Sequence, residues 1–298
     1  MNKVQSSILR LMEYMIPEYK DFMDAKRARL AEGIDFDLRN KRVIYNPSHP
    51  NNVNTSVEDN PTCDYLQVDI CGTKHQILVF SIFKRNINNG SRDGNPLIYA
   101  LKGENGWRFR GDEDREAINQ QFKAIANKFC DFYKGEATVI VPSNSILNPY
   151  IVEIMREVNP AIVLFDKLIR KMSTEEILDI CDADGSVFRQ YYDNRLEEAY
   201  SELEGFLKAM NEQHGGMYAR HFVKDAEMRD VLTRTMTVTA DNDYIKRFVE
   251  SVNGKPVLII DDTISRGHSL KEVCEIILSE ANPSMVTCLT LMSSTRNL

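Results

Sequence analysis

Two adjacent carboxylates close a short apolar run near the end of the sequence. Asp261 and Asp262 follow the branched apolar residues 257–260, and a polar segment containing Gly267 comes next. Such a run predicts a buried strand, and parallel α/β sheets bind ligands beyond the carboxyl ends of their strands. Burying two carboxylates is costly unless a partner pairs with them. Vicinal hydroxyls of a ribose would do so, and so would a hydrated cation.

The segment after the aspartates has the composition of a phosphate-binding loop. Thr263, Ser265 and Ser269 carry hydroxyls, and Gly267 gives the backbone freedom before a stretch whose apolar spacing predicts a helix. Ser269, with Glu272 three residues later, predicts a capping box at the start of this helix. Backbone N–H groups at a helix N-terminus bind phosphate readily. The residues therefore predict a sugar-phosphate site, with carboxylates on the hydroxyls and the loop on the phosphate.

The stretch VLIIDDTISRGHS (257–269) resembles the phosphoribosyl-pyrophosphate (PRPP) binding motif of type I phosphoribosyltransferases. The resemblance implies that Asp261 and Asp262 are catalytic residues that hold the ribose hydroxyls. It also implies that both contact the expected cofactor, Mg²⁺, indirectly through substrate or water. It assigns the phosphate loop to Thr263, Ser265, Arg266, Gly267, His268 and Ser269. Arg266 and Ser269 stand where the family usually has Thr, and Arg266 adds a cation beside a dianionic phosphate.

Two further segments correspond to the family's other ligand loops. The pyrophosphate loop follows the predicted strand ATVIV and comprises Ser143, Asn144 and Ser145. A turn capped by Asn148 is the alternative interpretation of that segment. Basic residues follow the predicted strand AIVLF: Lys167 and Arg170 as expected catalytic residues, and Lys171 as an expected substrate ligand. They would neutralise the pyrophosphate, and a solvated basic helix end is the alternative.

Apolar strands alternate with helical patterns after residue 134, and this alternation predicts an α/β fold with a parallel, doubly wound sheet. The resemblance of the motif implies that this sheet is of the type I phosphoribosyltransferase kind. The expected strands are ATVIVPS, AIVLF, KPVLIID and MVTCLTLM, and the expected helices are NPYIVEIMREVNP, DNDYIKRFVESVNG and SLKEVCEIILSEANP. Residues 173–232 are polar with helical spacing and predict a helical insertion. The resemblance implies a phosphoribosyltransferase-like core at 135–298 that contains this insertion.

Residues 1–134 predict an α+β region of unknown role. Helical spacing is present at 3–16 and at about 18–33, and residues 40–62 are rich in Asn, Pro and Ser, which predicts a loop. YLQVDI, HQILVFSIFKR and LIYALKG predict an antiparallel sheet, and DEDREAINQQFKAIANKFCDFY predicts a helix with acids in its first turn.

Composition limits the class of protein. The net charge of −7 argues against nucleic acid as a partner, because nonspecific binding needs a basic surface. The six cysteines show no C-x-x-C spacing, which is typical of reduced thiols in a cytosolic protein. No apolar run is long enough for a membrane span and no signal peptide is recognisable, so we expect a cytoplasmic protein without membrane partners.

The resemblance implies a pentosyltransferase that transfers the phosphoribosyl group of PRPP to a nitrogenous acceptor and releases pyrophosphate. The family is commonly dimeric, so a homodimer is expected on the same ground. Ser265 stands where the 6-oxopurine branch often carries an aspartate, which disfavours that branch. Two alternatives remain open: a non-catalytic PRPP- or nucleotide-sensing regulator on the same fold, and another reaction on a ribose phosphate. The sequence does not identify the acceptor.

Overall fold

The structure is a computed structural model that describes residues 33–46, 53–85, 95–143, 145–173, 176–177, 205, 235–264 and 267–293. The helices expected before residue 33 and nearly all of the helical insertion expected at 173–232 lie outside these residues.

The first half of the described chain contains six strands and two helices. The strands are β1 (Gly33–Asp37), β2 (Arg42–Asn46), β3 (Val53–Asn54), β4 (Thr62–Ile70), β5 (Thr73–Arg85) and β6 (Arg108–Phe109). The helices are α1 (Asn95–Lys102) and α2 (Asp112–Phe132). The antiparallel β4–β5 pair and α2 confirm the corresponding predictions.

The second half contains the four strands and three helices that were predicted, together with two short strands that were not. Its strands are β7 (Ala137–Ile140), β8 (Val163–Phe165), β9 (Ile169–Lys171), β10 (Met236–Val238), β11 (Pro256–Thr263) and β12 (Met285–Met292), of which β9 and β10 are the two that were not predicted. Its helices are α3 (Leu147–Val158), α4 (Asn242–Val252) and α5 (His268–Glu280). The described residues thus form a mixed α/β structure with five helices.

The centre of the fold is a parallel sheet with strand order β5-β12-β11-β7-β8. β4 and β3 each pair antiparallel with a different part of β5. β1, β2 and β6 continue the sheet beyond β3. β5 belongs to the region before residue 135, so one sheet runs through both predicted regions. β9 and β10 form a separate two-stranded antiparallel sheet.

Side chains alternate between the two faces along each strand, so both faces of the parallel sheet carry apolar side chains. Helices pack on each face. Leu258 and Ile260 of β11 pack in a core with residues of α1, α2 and α3. Val257 and Ile259 point to the other face and pack with residues of α4 and α5. A run of branched apolar residues is therefore what a strand buried on both faces requires.

Two predictions for the N-terminal region are wrong. LIYALKG, predicted as a strand, lies in α1 and the turn after it, with Leu97 and Ile98 buried in the core. Pro96 fits the first turn of a helix, and Gly103 follows the helix with a φ of 69°. These start and stop signals outweighed the β-like composition. The loop predicted at 40–62 instead contains β2 and β3.

No helix among the described residues is both long and apolar enough to cross a membrane.

Candidate functional site

The site lies where the strand order reverses. β8, which follows β7 in the sequence, pairs with one edge of β7, and β11 pairs with the other edge. The direction of strand progression therefore reverses at β7. The crevice at the carboxyl ends of two such strands is where open α/β sheets bind ligands. The Val141 N–H donates to the carbonyl of Ile260 at 2.9 Å and extends the pairing to the residue before Asp261.

Asp261 is the most perturbed acid of the site. Its side chain is buried (8% of the residue exposed), and its Oδ1 accepts the backbone N–H of Asp262 at 2.9 Å. Burial, followed by the charge of Asp262, raises the pKa of Asp261 from 3.8 to about 8. Hydrogen bonds from the Asp262 N–H and the Asn148 amide, and the charge of Lys102, lower this pKa but only in part. A carboxyl with this pKa is largely protonated at neutral pH and donates a hydrogen bond as readily as it accepts one.

Asp262 has a partner that the sequence did not indicate. The Lys102 ammonium lies 2.9 Å from Asp262 Oδ2, and the Thr263 hydroxyl donates to Asp262 Oδ1 at 3.1 Å. Lys102 is the last residue of α1, in a segment that sequence analysis assigned to a strand. No local signal links residues separated by 160 positions, so only the packing of α1 in the core could reveal this contact.

The predicted phosphate loop leads into α5 as expected, but its cap differs from the prediction. Gly267 is the N-cap, with φ 74° and ψ 4°, and no side chain caps the helix. Ser269 is already helical and Glu272 is turned elsewhere, so the predicted capping box is wrong. Gly267 adopts the left-handed conformation that glycine favours. His268 and Ser269 occupy the first turn of α5, and Ser265 and Arg266 lie outside the described residues.

Glu272 ties α5 to the small β9–β10 sheet. Its carboxylate, buried in the structure, accepts the backbone N–H groups of Thr235 and Met236 and, at 2.8 Å, the Thr235 hydroxyl. Met236 pairs with Lys171 across the two strands. The helix that begins at the loop therefore also positions the basic strand β9.

The alternation of β9 separates the two predicted basic residues. Lys171 is half-buried; burial lowers its pKa, and the nearby charge of Asp261 opposes this shift. Arg170 points outward, and its guanidinium nitrogens donate to the two carboxylate oxygens of Glu176 at 2.7 and 2.8 Å. Hydrogen bonds from the Arg170 guanidinium and from the Ser173 N–H lower the pKa of Glu176 to about 2. Lys167 lies exposed in the turn after β8. Lys171 is therefore near enough to Asp261 for the charge of that carboxyl to affect its pKa, whereas the Arg170 guanidinium is engaged by Glu176.

The loop after β7 is held by its own side chains. The Ser143 hydroxyl accepts the N–H of Ser145 at 3.0 Å, and the Ser145 hydroxyl accepts the N–H of Leu147 at 3.2 Å. Asn144 lies outside the described residues. Asn148 does not cap α3, because the helix begins at Leu147 and its amide donates to the carbonyl of Val141 at 3.0 Å.

Asn148 also leaves a polar atom without a partner. Its residue is 1% exposed, and its Oδ1 has no hydrogen-bond partner within the part of the chain that the structure describes. An unpaired buried acceptor is costly, and such atoms in native proteins call for an explanation such as a bound ligand or water. This oxygen requires a donor, which a hydroxyl or an N–H group would supply.

A cleft of about 780 Å³ extends from this loop along α3 to the end of β8. Its charged lining is mostly acidic and comprises Glu153, Glu157, Asp166 and Arg156. Glu157 is paired with Lys123 at 2.6 Å, and the Tyr244 hydroxyl donates to Asp166 at 3.3 Å. This lining disfavours the binding of an anion deep in the cleft.

The aspartates fit Mg²⁺ only as part of a shared site. Carboxylate oxygens are the ligands that Mg²⁺ prefers, but Asp262 is already paired with Lys102. The described residues contain no group of three or more His, Cys, Asp or Glu that could hold a metal. Waters and ligand oxygens would therefore complete the coordination, which is usual for Mg²⁺ with phosphate substrates.

A scan of this chain against protein-family models found no match. A search of the curated proteins also found none.

Proposed function

We propose that this protein is a phosphoribosyltransferase-like enzyme that binds PRPP at the carboxyl ends of β7 and β11. It would transfer the phosphoribosyl group to a nitrogenous acceptor and release pyrophosphate. One observation carries the proposal: Asp261 and Asp262 are held in a partly desolvated pair at the strand-order reversal, at the end of the strand that precedes α5, whose N-cap is Gly267. This arrangement suits a ligand with vicinal hydroxyls and a phosphate.

The proposed reaction uses these groups in the following way. A bond forms between the acceptor nitrogen and C1 of the ribose, while the C1–O bond to pyrophosphate breaks and its electron pair leaves with pyrophosphate. The nitrogen releases its proton to solvent. Asp261 and Asp262 hold the ribose hydroxyls, the loop and first turn of α5 hold the 5′-phosphate, and Lys171 faces the developing negative charge. When bound, Mg²⁺ would neutralise charge on the pyrophosphate.

Calorimetric titration of PRPP with and without Mg²⁺ tests the binding step. The wild-type protein should bind PRPP, and an Asp261→Asn/Asp262→Asn double variant should lose the hydroxyl contacts and bind at least about tenfold more weakly. An Asp64→Asn/Asp69→Asn variant, altered on β4, is the matched control and should bind normally. Unchanged affinity in the site variant would refute the proposed ribose site.

Pyrophosphate release with a panel of nitrogenous acceptors tests the transfer step. If the wild-type protein binds PRPP but releases no pyrophosphate with any acceptor, the result would indicate the second candidate function. This second candidate is a PRPP- or nucleotide-sensing protein. It is favoured by the Glu176 contact, which engages Arg170, a residue expected to serve the leaving pyrophosphate.

A further inference from the structure

The α1 helix reaches the candidate site through one side chain. α1 is anchored by Leu97 and Ile98, which are buried in the core shared by α2, α3 and the central sheet. Lys102 ends this helix, where the helix dipole favours a positive charge. The Lys102 ammonium lies 2.9 Å from Asp262 Oδ2. Both side chains are largely buried, with 18% of Lys102 and 14% of Asp262 exposed. The anchored helix therefore determines where this ammonium lies.

This contact acts on a residue with a proposed ligand role. Asp262 Oδ2 meets Lys102 and its Oδ1 accepts from Thr263, so the carboxylate is held at both oxygens. A carboxylate has about four lone-pair directions, so each oxygen retains one for a further donor. A side chain held in this way is preorganised, because less conformational entropy is lost when a ligand hydroxyl binds.

We propose that Lys102 is a positioning and specificity-determining residue that orients Asp262 to recognise a sugar hydroxyl. This inference rests on the proposed sugar-phosphate site and deepens it: a side chain from the N-terminal region determines recognition of the sugar, and the N-terminus of α5 at Gly267 and His268 recognises the phosphate. Lys102 acts through Asp262 and does not need to contact the ligand. A merely structural ion pair would stabilise α1 without discriminating between ligands.

Two probes separate the sugar and phosphate contributions. Ribose 5-phosphate presents both groups, and inorganic phosphate presents only one. The ratio of their dissociation constants, measured calorimetrically without metal, reports recognition of the sugar. In the wild-type protein we expect ribose 5-phosphate to bind more tightly. Lys102→Met should reduce this preference about tenfold or more, the usual effect of one hydrogen bond to a charged group, and should leave phosphate affinity nearly unchanged.

Three variants complete the test. Lys102→Arg keeps a donor of the same charge and should retain most of the preference, whereas Asp262→Asn should lose it to the same extent as Lys102→Met. Lys102→Gln replaces Lys102→Met if the latter does not fold. Lys123→Met is the matched control, because it removes a lysine from the ion pair with Glu157 in the last turn of α3.

The outcomes distinguish this inference from the proposed function. A reduced preference in Lys102→Met, with normal behaviour of Lys123→Met, supports the positioning role. Proportional weakening of both ligands, or an unchanged preference, overturns it and leaves Lys102 as a structural contact. A wild-type protein that binds neither ligand, or shows no preference for ribose 5-phosphate, overturns the proposed site and the inference together.

Discussion

Asp261 is a residue whose surroundings oppose its charge. It lies at the buried end of β11 beside a second carboxylate, and the opposing contacts are too weak to restore its ordinary pKa. Proteins tolerate such destabilising groups chiefly where function requires them. The unfavourable placement of Asp261 therefore supports a binding role more directly than the resemblance of the motif does.

Asp261→Asn should stabilise the protein in a pH-dependent way. Because the folded-state pKa of about 8 lies above the ordinary value of 3.8, the folded protein binds an extra proton between these values, and stability falls as pH rises through this window. The neutral variant avoids this loss. We expect a gain on the order of 3–5 kcal/mol at pH 8 and almost none at pH 4.

Urea denaturation of both proteins between pH 4 and pH 9 measures this gain. Asp131→Asn, which alters an exposed residue near the end of α2, serves as the control and should show no comparable trend. A wild-type stability that rises from pH 5 to pH 8 relative to Asp261→Asn would contradict the raised pKa.

The basic strand β9 supports a second residue-scale prediction. Lys171→Ala should weaken PRPP binding by about tenfold or more, because its half-buried ammonium is near enough to Asp261 for the two charges to interact and would favour an anionic ligand there. Arg170→Ala should have a smaller effect, because Glu176 already engages the guanidinium. Calorimetric titration of both variants with PRPP measures the difference. A larger loss in Arg170→Ala would mean that Glu176 releases Arg170 when the ligand binds.

At the scale of elements, the start of α5 depends on a glycine in a left-handed conformation. Gly267→Ala should cost about 1–2 kcal/mol of stability, because a side chain strains the backbone at a φ of 74°. It should also weaken binding of inorganic phosphate, since the first turn of α5 would no longer present its N–H groups in the same way. Thermal unfolding and calorimetric titration measure the two effects.

Gly72→Ala is the matched control for this element. Gly72 has a φ of 83° in the exposed β4–β5 turn, and a Cβ there would meet nothing within 4 Å. The backbone strain is therefore comparable, but the turn is part of another element. We expect a similar stability loss with unchanged phosphate affinity. Equal loss of phosphate affinity in both variants would show that the effect of Gly267 is not local.

For the whole molecule, the structure places the only tryptophan in a core shared with the site strand. Trp107 is buried, its ring lies 5.9 Å from that of Phe36, and the same core contains Leu258 and Ile260 of β11. Trp107 fluorescence therefore reports on residues from both sides of the predicted boundary at residue 134.

Urea unfolding followed by Trp107 fluorescence and by far-UV circular dichroism should give coincident midpoints, because these residues share one core. Asp261→Asn should shift both midpoints equally, although Asp261 lies on β11 and Trp107 precedes β6. A Trp107 transition that occurs at lower urea and does not respond to Asp261→Asn would instead indicate that the N-terminal region unfolds separately.

Local patterns were sufficient to predict much of the parallel sheet. β7, β8, β11 and β12 are apolar runs separated by helical spacing, and the pair of aspartates follows directly from the end of such a run. Where the prediction failed, two local signals conflicted. In α1, β-like composition competed with a proline at the start and a glycine at the end, and burial of Leu97 and Ile98 on one helix face decided the outcome.

The sequence alone determined the strand, the carboxylates and the glycine of the motif, because these features depend on neighbouring residues. Only the tertiary structure decided which charges meet them. Lys102 reaches Asp262 across 160 positions, Lys171 approaches Asp261 while Arg170 turns away, and Glu272 holds β10 instead of capping its helix. Such contacts result from the packing of helices on both faces of one sheet, and no local pattern encodes that arrangement.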